Sequence, residues 1–193
     1  MSSPDLTPFS IVILTLVGRG GAGPHDLRRN AEQGRMYWDA APSQWYAEPK
    51  RLAKLGYLEA QKLPGKTRER THYTLTAQGL SALATWARTP VPLPKMQHET
   101  IVRLLAADLV APQAVLDGLR ALGDEVQASL DQLAAARRNW EGLPHRLDLL
   151  TVNDRYAERL LRLQLDWLAD AEQVLEQRIA SADIPRPIDD PSR

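Results

Sequence analysis

Pro42-Ser-Gln-Trp-Tyr-Ala-Glu-Pro-Lys-Arg-Leu-Ala-Lys-Leu-Gly-Tyr-Leu58 is the stretch on which the fold turns. Pro42-Ser43 can start a helix, with the Ser43 hydroxyl placed to accept from an unpaired N–H of the first turn. Gly56 can end that helix in the left-handed conformation that side chains avoid. Ser43, Gln44 and Tyr46 then lie in the first turns, where hydroxyl and amide groups can bond phosphates or base edges, and Lys50, Arg51 and Lys54 follow. The stretch leads directly into two strand-like runs, Tyr57–Leu63 and Thr71–Leu75, around the turn Pro64-Gly65-Lys66.

Upstream, Ser10–Val17 with Leu6 reads as a first helix and Pro24 to about Gly34 as a second, Pro24 being suited to a first helical turn. Gly18-Arg-Gly-Gly-Ala-Gly23 joins two helices and follows no strand, so it is read as a flexible connection and not a phosphate loop. Downstream, Thr76-Ala-Gln-Gly79 caps a fourth helix through Trp86 and Arg88. Residues 1–88 thus order as three helices, a hairpin and a helix, which is the layout of a winged helix-turn-helix. In that layout the third helix enters the major groove and the hairpin touches flanking backbone. The hairpin carries Lys62, Lys66, Arg68 and Arg70 close to its turn, with a single acid among them, Glu69. Cations crowded at a turn contact phosphates, and equally they keep an edge strand soluble.

Thr89-Pro-Val-Pro-Leu-Pro-Lys95 holds three prolines in seven residues, so no helix crosses it; residues 89–95 are read as a linker. Beyond it, residues 96–182 form a helical domain. His98–Leu109 puts Ile101, Leu104, Leu105 and Leu109 on one face, and Pro112–Asn139 spaces Leu119, Leu122, Val126 and Leu133 at helical intervals. Val152–Ala180 carries two apolar stripes, one of Tyr156, Leu160, Leu163, Trp167 and Val174, the other of Leu161, Leu165, Leu168, Leu175 and Ile179. One stripe can pack on the Pro112 helix of the same chain, and the second needs another partner, which predicts a homodimer built from these two helices. Residues 183–193 lack apolar periodicity and are read as a disordered tail.

Charge follows the same division. Residues up to Arg88 hold 12 basic and 7 acidic side chains, and the remainder 12 basic and 17 acidic, so a basic module is joined to an acidic one. The 193 residues contain no cysteine, which excludes disulfides, thiol catalysis and cysteine-ligated metals. His25, His72, His98 and His145 are scattered over different elements, with no metal-ligand spacing and no nucleophile motif. No cofactor, metal or enzymatic activity is expected. The apolar run Phe9–Val17 is short and follows Asp5 and Pro8 without a basic leader, so it is read as a buried helix and the chain as cytoplasmic, with no membrane partner.

Tyr46, Arg51, Leu52, Gly56 and Leu58 stand where the PadR family of transcriptional regulators has a Tyr, a Lys/Arg-Leu pair and a Gly-hydrophobic ending in its recognition helix, and the segment resembles that helix. Leu6-Thr-Pro-Phe9 and Gly23-Pro-His-Asp-Leu27 are similar to the entries of the family's first two helices. Arg70-Thr-His-Tyr-Thr-Leu-Thr-Ala-Gln-Gly79 is similar to the end of its wing. From Leu104 to Tyr156-Ala-Glu-Arg159 and Leu165-Asp-Trp-Leu168, the second half resembles the family's long virulence-activator-like C-terminal region. The resemblance reaches about residue 180 and implies a homodimeric, DNA-binding regulator, a repressor, on an inverted-repeat operator. Its DNA contacts would be Ser43, Gln44, Tyr46, Lys50, Arg51, Lys66, Arg68 and Arg70. It further implies a small-molecule effector for some members, for which Trp140, Tyr156 and Trp167 could line an aromatic pocket; ordinary core packing is the alternative. A winged-helix adaptor that binds protein and not DNA is the competing function. Pro49 departs from the family's usual aliphatic residue. A proline there removes a hydrogen bond at a cost of roughly 3 kcal/mol, so a kink, or a regular helix starting only near Glu48, is expected. Trp45, bulkier than the usual residue, is read as core.

Overall fold

The computed structural model describes residues 5–32, 38, 40–64, 69–94 and 96–181. The chain divides into two compact units, Met1–Leu93 and Pro94–Arg193.

The first unit opens with α1 (Pro8–Val17), whose start is a capping box: Ser10 N–H donates to Thr7 Oγ1 at 3.1 Å, and Thr7 N–H donates to Ser10 Oγ at 2.9 Å. α2 (Pro24–Glu32) and α3 (Gln44–Lys54) follow, then β1 (Leu58–Leu63), β2 (Arg70–Leu75) and α4 (Ala77–Ala87). The strands pair antiparallel, from Leu58 opposite Leu75 to Leu63 opposite Arg70. Ile13, Leu14, Leu27, Leu52, Tyr57, Leu58 and Tyr73 form the core, and Trp45 joins it edge-on to Phe9, ring centroids 4.9 Å apart.

Local signals set the joints between these elements. α3 ends in a Schellman motif, in which Gly56 (φ 82°) donates to the Ala53 carbonyl and Tyr57 to that of Leu52, while both Tyr57 and Leu52 are buried. Thr76 caps α4 by accepting from Gly79 N–H at 3.1 Å, and its own hydroxyl donates to the Gly56 carbonyl at 2.7 Å.

Three expectations are corrected here. The glycine run is no loose connection: Ala22 and Tyr73 exchange backbone hydrogen bonds of 2.9 and 3.0 Å, so the run adds a bridge to the free edge of β2. Gly21 (φ 72°) lies so close to β2 that a Cβ would sit 2.6 Å from the Tyr73 carbonyl oxygen. Pro49 neither delays α3 to Glu48 nor ends it; the segment is helical from Gln44 to Lys54, and the proline ring is wholly buried, so packing offsets part of the lost hydrogen bond. Ser43 occupies the cap position in a helical conformation and makes no capping bond; the Gln44 side-chain oxygen instead accepts from Ala41 N–H at 3.1 Å.

In the second unit α5 (Glu99–Leu105) passes through a 3-10 turn at Ala106–Asp108 to α6 (Pro112–Ala136). Two further 3-10 turns, Arg137–Gly142 and Pro144–Arg146, reverse the chain into α7 (Leu147–Ala180), which starts five residues earlier than its apolar periodicity indicates. Val115, Leu116 and Leu119 of α6 pack with Leu168, Ala171 and Leu175 of α7 and with Ala107. Beyond this core, α7 keeps apolar residues outward: Tyr156 is 57% exposed, Leu163 62% and Val174 48%. On α5 Leu104 packs inward, while Ile101 and Leu105, and Leu109 after the 3-10 turn, are exposed. Among the described residues no helix is long and apolar enough to cross a membrane.

Candidate nucleic-acid interface

At 3.6 residues per turn, Trp45, Pro49 and Leu52 fall on the inner face of α3, and all three are buried. The opposite face carries Ser43, Tyr46, Ala47, Lys50 and Lys54, all exposed. This is a surface of one hydroxyl, one phenol and two ammonium groups on a rigid helix. Gln44 and Arg51 sit on its flank. Arg70 is exposed at the start of β2, and Lys62 is exposed near the end of β1, paired across the ladder with Thr71. Lys66 and Arg68 lie outside the described residues.

Arg51 is not turned outward with the lysines. Its Nε and Nη2 donate to the two carboxylate oxygens of Glu48 at 2.9 and 2.7 Å, Nη2 also to Ser10 Oγ at 2.9 Å, and Nη1 to the Asp5 carbonyl at 3.0 Å. The Ser10 hydroxyl, fully buried, donates to Glu48 Oε1 at 2.6 Å. The hydrogen bonds from Arg51, with a smaller share from Ser10, hold the Glu48 carboxyl below its ordinary range against the effect of burial. The hydrogen bonds to Glu48, and then its charge, hold the Arg51 guanidinium above its ordinary value. Sequence reasoning missed Ser10 and Glu48. The available signals were the Thr7-x-x-Ser10 spacing of a capping box and the i,i+3 spacing of Glu48 and Arg51.

In the second unit, Arg137 bridges α6 and α7, donating to Asp154 Oδ2 at 2.9 Å and Glu158 Oε2 at 2.6 Å. Arg162, and then Arg137, hold the Glu158 carboxyl below its ordinary range. The aromatic trio is not gathered in one place within this unit. Tyr156 and Trp167 are separated by about 16 Å of helix rise along α7. Trp167 is half-buried with its ring centroid 6.2 Å from that of His98, and Trp140 lies half-buried in the 3-10 turn after α6.

No protein-family model and no curated protein matches the chain. Solved structures do. PadR of Bacillus subtilis in complex with operator DNA superposes with a TM-score of 0.74 at 20% identity, over 88% of this chain and 99% of that one. The same protein in complex with p-coumaric acid gives 0.66 at 20%, over 87% and 98%. The PadR-like regulator BC1756 of Bacillus cereus gives 0.74 at 15%, over 88% and 98%. The virulence activator AphA of Vibrio cholerae gives 0.67 at 18%, over 87% and 98%. At these identities the likeness is one of architecture, and it extends through both units: the chain has the fold of the PadR-family regulators, AphA among them.

Proposed function

We propose that this chain is a cytoplasmic DNA-binding transcriptional regulator that acts as a homodimer, with residues 1–88 as the reader and 96–182 as the dimerisation domain. The observation that carries the reading is the exposed face of α3, where Ser43, Tyr46, Lys50 and Lys54 are presented on a fold shared with a protein crystallised on operator DNA. Gln44 at the flank, Arg70, and the wing residues Lys66 and Arg68 complete the proposed contact set. Apolar surface supports the dimer. α6 turns its apolar residues into its own unit, so the proposed interface uses α7 (Val152, Tyr156, Leu163 and Val174) together with α5 (Val102, Leu105). Repression of an inverted-repeat operator, and its relief by a small aromatic effector, belong to the same proposal. The p-coumaric acid complex of Bacillus subtilis PadR supports the effector class. A site using Trp140, Tyr156 and Trp167 would draw on two copies of the chain.

Fluorescence anisotropy with duplex DNA tests the function. Affinity should fall steeply with salt, since each phosphate neutralised contributes about 0.9 to the slope of log K against log salt. Salt-independent or absent DNA binding would replace this reading with the protein-binding adaptor.

A further inference from the structure

We propose that Arg51 is a positioning residue, which with Glu48 and Ser10 fixes the angle at which α3 is presented and so sets sequence discrimination, and that it is not itself a DNA contact. The proposal rests on the DNA-binding reading above and sharpens it. A guanidinium has five N–H donors. In Arg51 the Nε proton goes to Glu48, the two Nη2 protons to Glu48 and Ser10, and one Nη1 proton to the Asp5 carbonyl. One donor remains, too few for a forked contact with a base edge or a phosphate. The positive charge is matched by the Glu48 carboxylate at 2.7 Å, so the pair adds nothing to the field that draws DNA to α3.

The clamp is built to transmit orientation. Ser10 Oγ has one proton and two lone pairs, and all three are committed: the proton to Glu48, the lone pairs to Arg51 Nη2 and Thr7 N–H. Thr7 and Ser10 are also the capping box of α1. The guanidinium therefore joins the first turn of α1 to the middle of α3, where Glu48 and Arg51 flank the buried Pro49 and the exposed Lys50. Lys50 is carried on this same turn, so a change in the clamp moves the side chains proposed to touch DNA without removing any of them.

Two variants separate positioning from contact by the sign and kind of their effect. Glu48→Gln keeps the shape and leaves Arg51 its charge. Arg51→Lys keeps the charge but not the fork. The probes are a duplex selected by the wild-type protein from random-sequence DNA, and poly(dI-dC). Positioning predicts that both variants lose roughly tenfold in their preference for the selected duplex over poly(dI-dC), and that Arg51→Lys, which leaves the net charge as it is, keeps the poly(dI-dC) affinity and the salt slope. A direct phosphate contact predicts the reverse. Glu48→Gln would then free a cation, tighten binding to both probes and raise the salt slope by about 0.9 per subunit, and Arg51→Lys would bind almost normally. That outcome, or wild-type discrimination in both variants, overturns the proposal. Failure of the underlying reading is seen separately, as a wild-type protein that binds neither probe. Near-ultraviolet circular dichroism shows that each variant is folded at the assay temperature, so a lost preference is not lost protein.

Discussion

Replacing Gly21 by alanine should destabilise the first unit by about 3 kcal/mol, whereas the same change at Gly20, its neighbour, should be nearly silent. The difference follows from two geometric facts. Gly21 has φ 72°, where an alanine costs roughly 1–2 kcal/mol, and Gly20 is not among the positive-φ glycines. A Cβ on Gly21 would also lie 2.6 Å from the Tyr73 carbonyl oxygen and 2.9 Å from Thr74 Cγ2, and would overlap His72 Nε2, while one on Gly20 meets nothing within 4 Å. Backbone cannot step aside cheaply, so relieving the contact means opening the Ala22–Tyr73 bridge, whose two hydrogen bonds are worth about 1 kcal/mol each. In a unit of this size about 3 kcal/mol corresponds to roughly 12–24 °C in melting temperature. Circular dichroism melts of the two variants beside the parent provide the assay. Midpoints for Gly21→Ala and Gly20→Ala within about 2 °C of each other would refute the reasoning, because the packed edge would then be no more than the flexible link the glycine content implies.

Lys50→Ala and Arg70→Ala should each lower the salt slope of DNA binding by about 0.9 per subunit and weaken all duplexes alike, as read by anisotropy titrations between low and ordinary salt. Leu163→Glu, at a position exposed within one chain, should leave the subunit folded and halve the mass seen by light scattering. Leu175→Ala, fully buried between α6 and α7, should instead cost about 2–5 kcal/mol in a denaturant titration. Because the folded-state pKa of Glu48 lies below its ordinary value of 4.5, the ionised clamp stabilises the fold above that pH and is lost as pH falls through the lowered value. The stability difference between the parent and Glu48→Gln should therefore be constant near neutrality and shrink in acid below about pH 4.5, which urea titrations at stepped pH will follow.

What was legible in the sequence was mainly local. Gly56 as the left-handed end of α3, Thr76 as the cap of α4 and the hairpin between them are each set by residues close in sequence, and all stand as read. The two stripes on α7 were also visible, because helical periodicity alone separates Leu161, Leu168 and Leu175 from Leu163 and Val174. What periodicity does not contain is the identity of the surface opposite. Ile101, Leu104, Leu105 and Leu109 share one face by their spacing, yet only Leu104 of the four packs on the core. The apolar spacing of α6 reads as packing on one stripe of α7 in the same chain, and Leu119 and Val126 are buried there. The setting of Arg51 was hidden for a related reason. A cation next to Lys50 reads as part of a basic face, and one of the partners that tie it to α1, Ser10, is 41 residues away. Glycines were misjudged most, since freedom to bend and room for close approach call for the same residue.

The bridge at Ala22 also bears on how the protein stays soluble. β2 has β1 along one edge and Ala22 against the other at Tyr73, so the middle of its run Thr71-His-Tyr-Thr-Leu75, rich in β-favouring side chains, is closed to a passing strand. β1 has no such bridge among the described residues, and that strand is short and carries exposed Glu59 and Lys62, charges that oppose edge-to-edge association. The glycine run thus works as a seal on the more aggregation-prone strand. Variants that lift it should betray themselves first in turbidity on storage at high concentration, before any loss of helical signal.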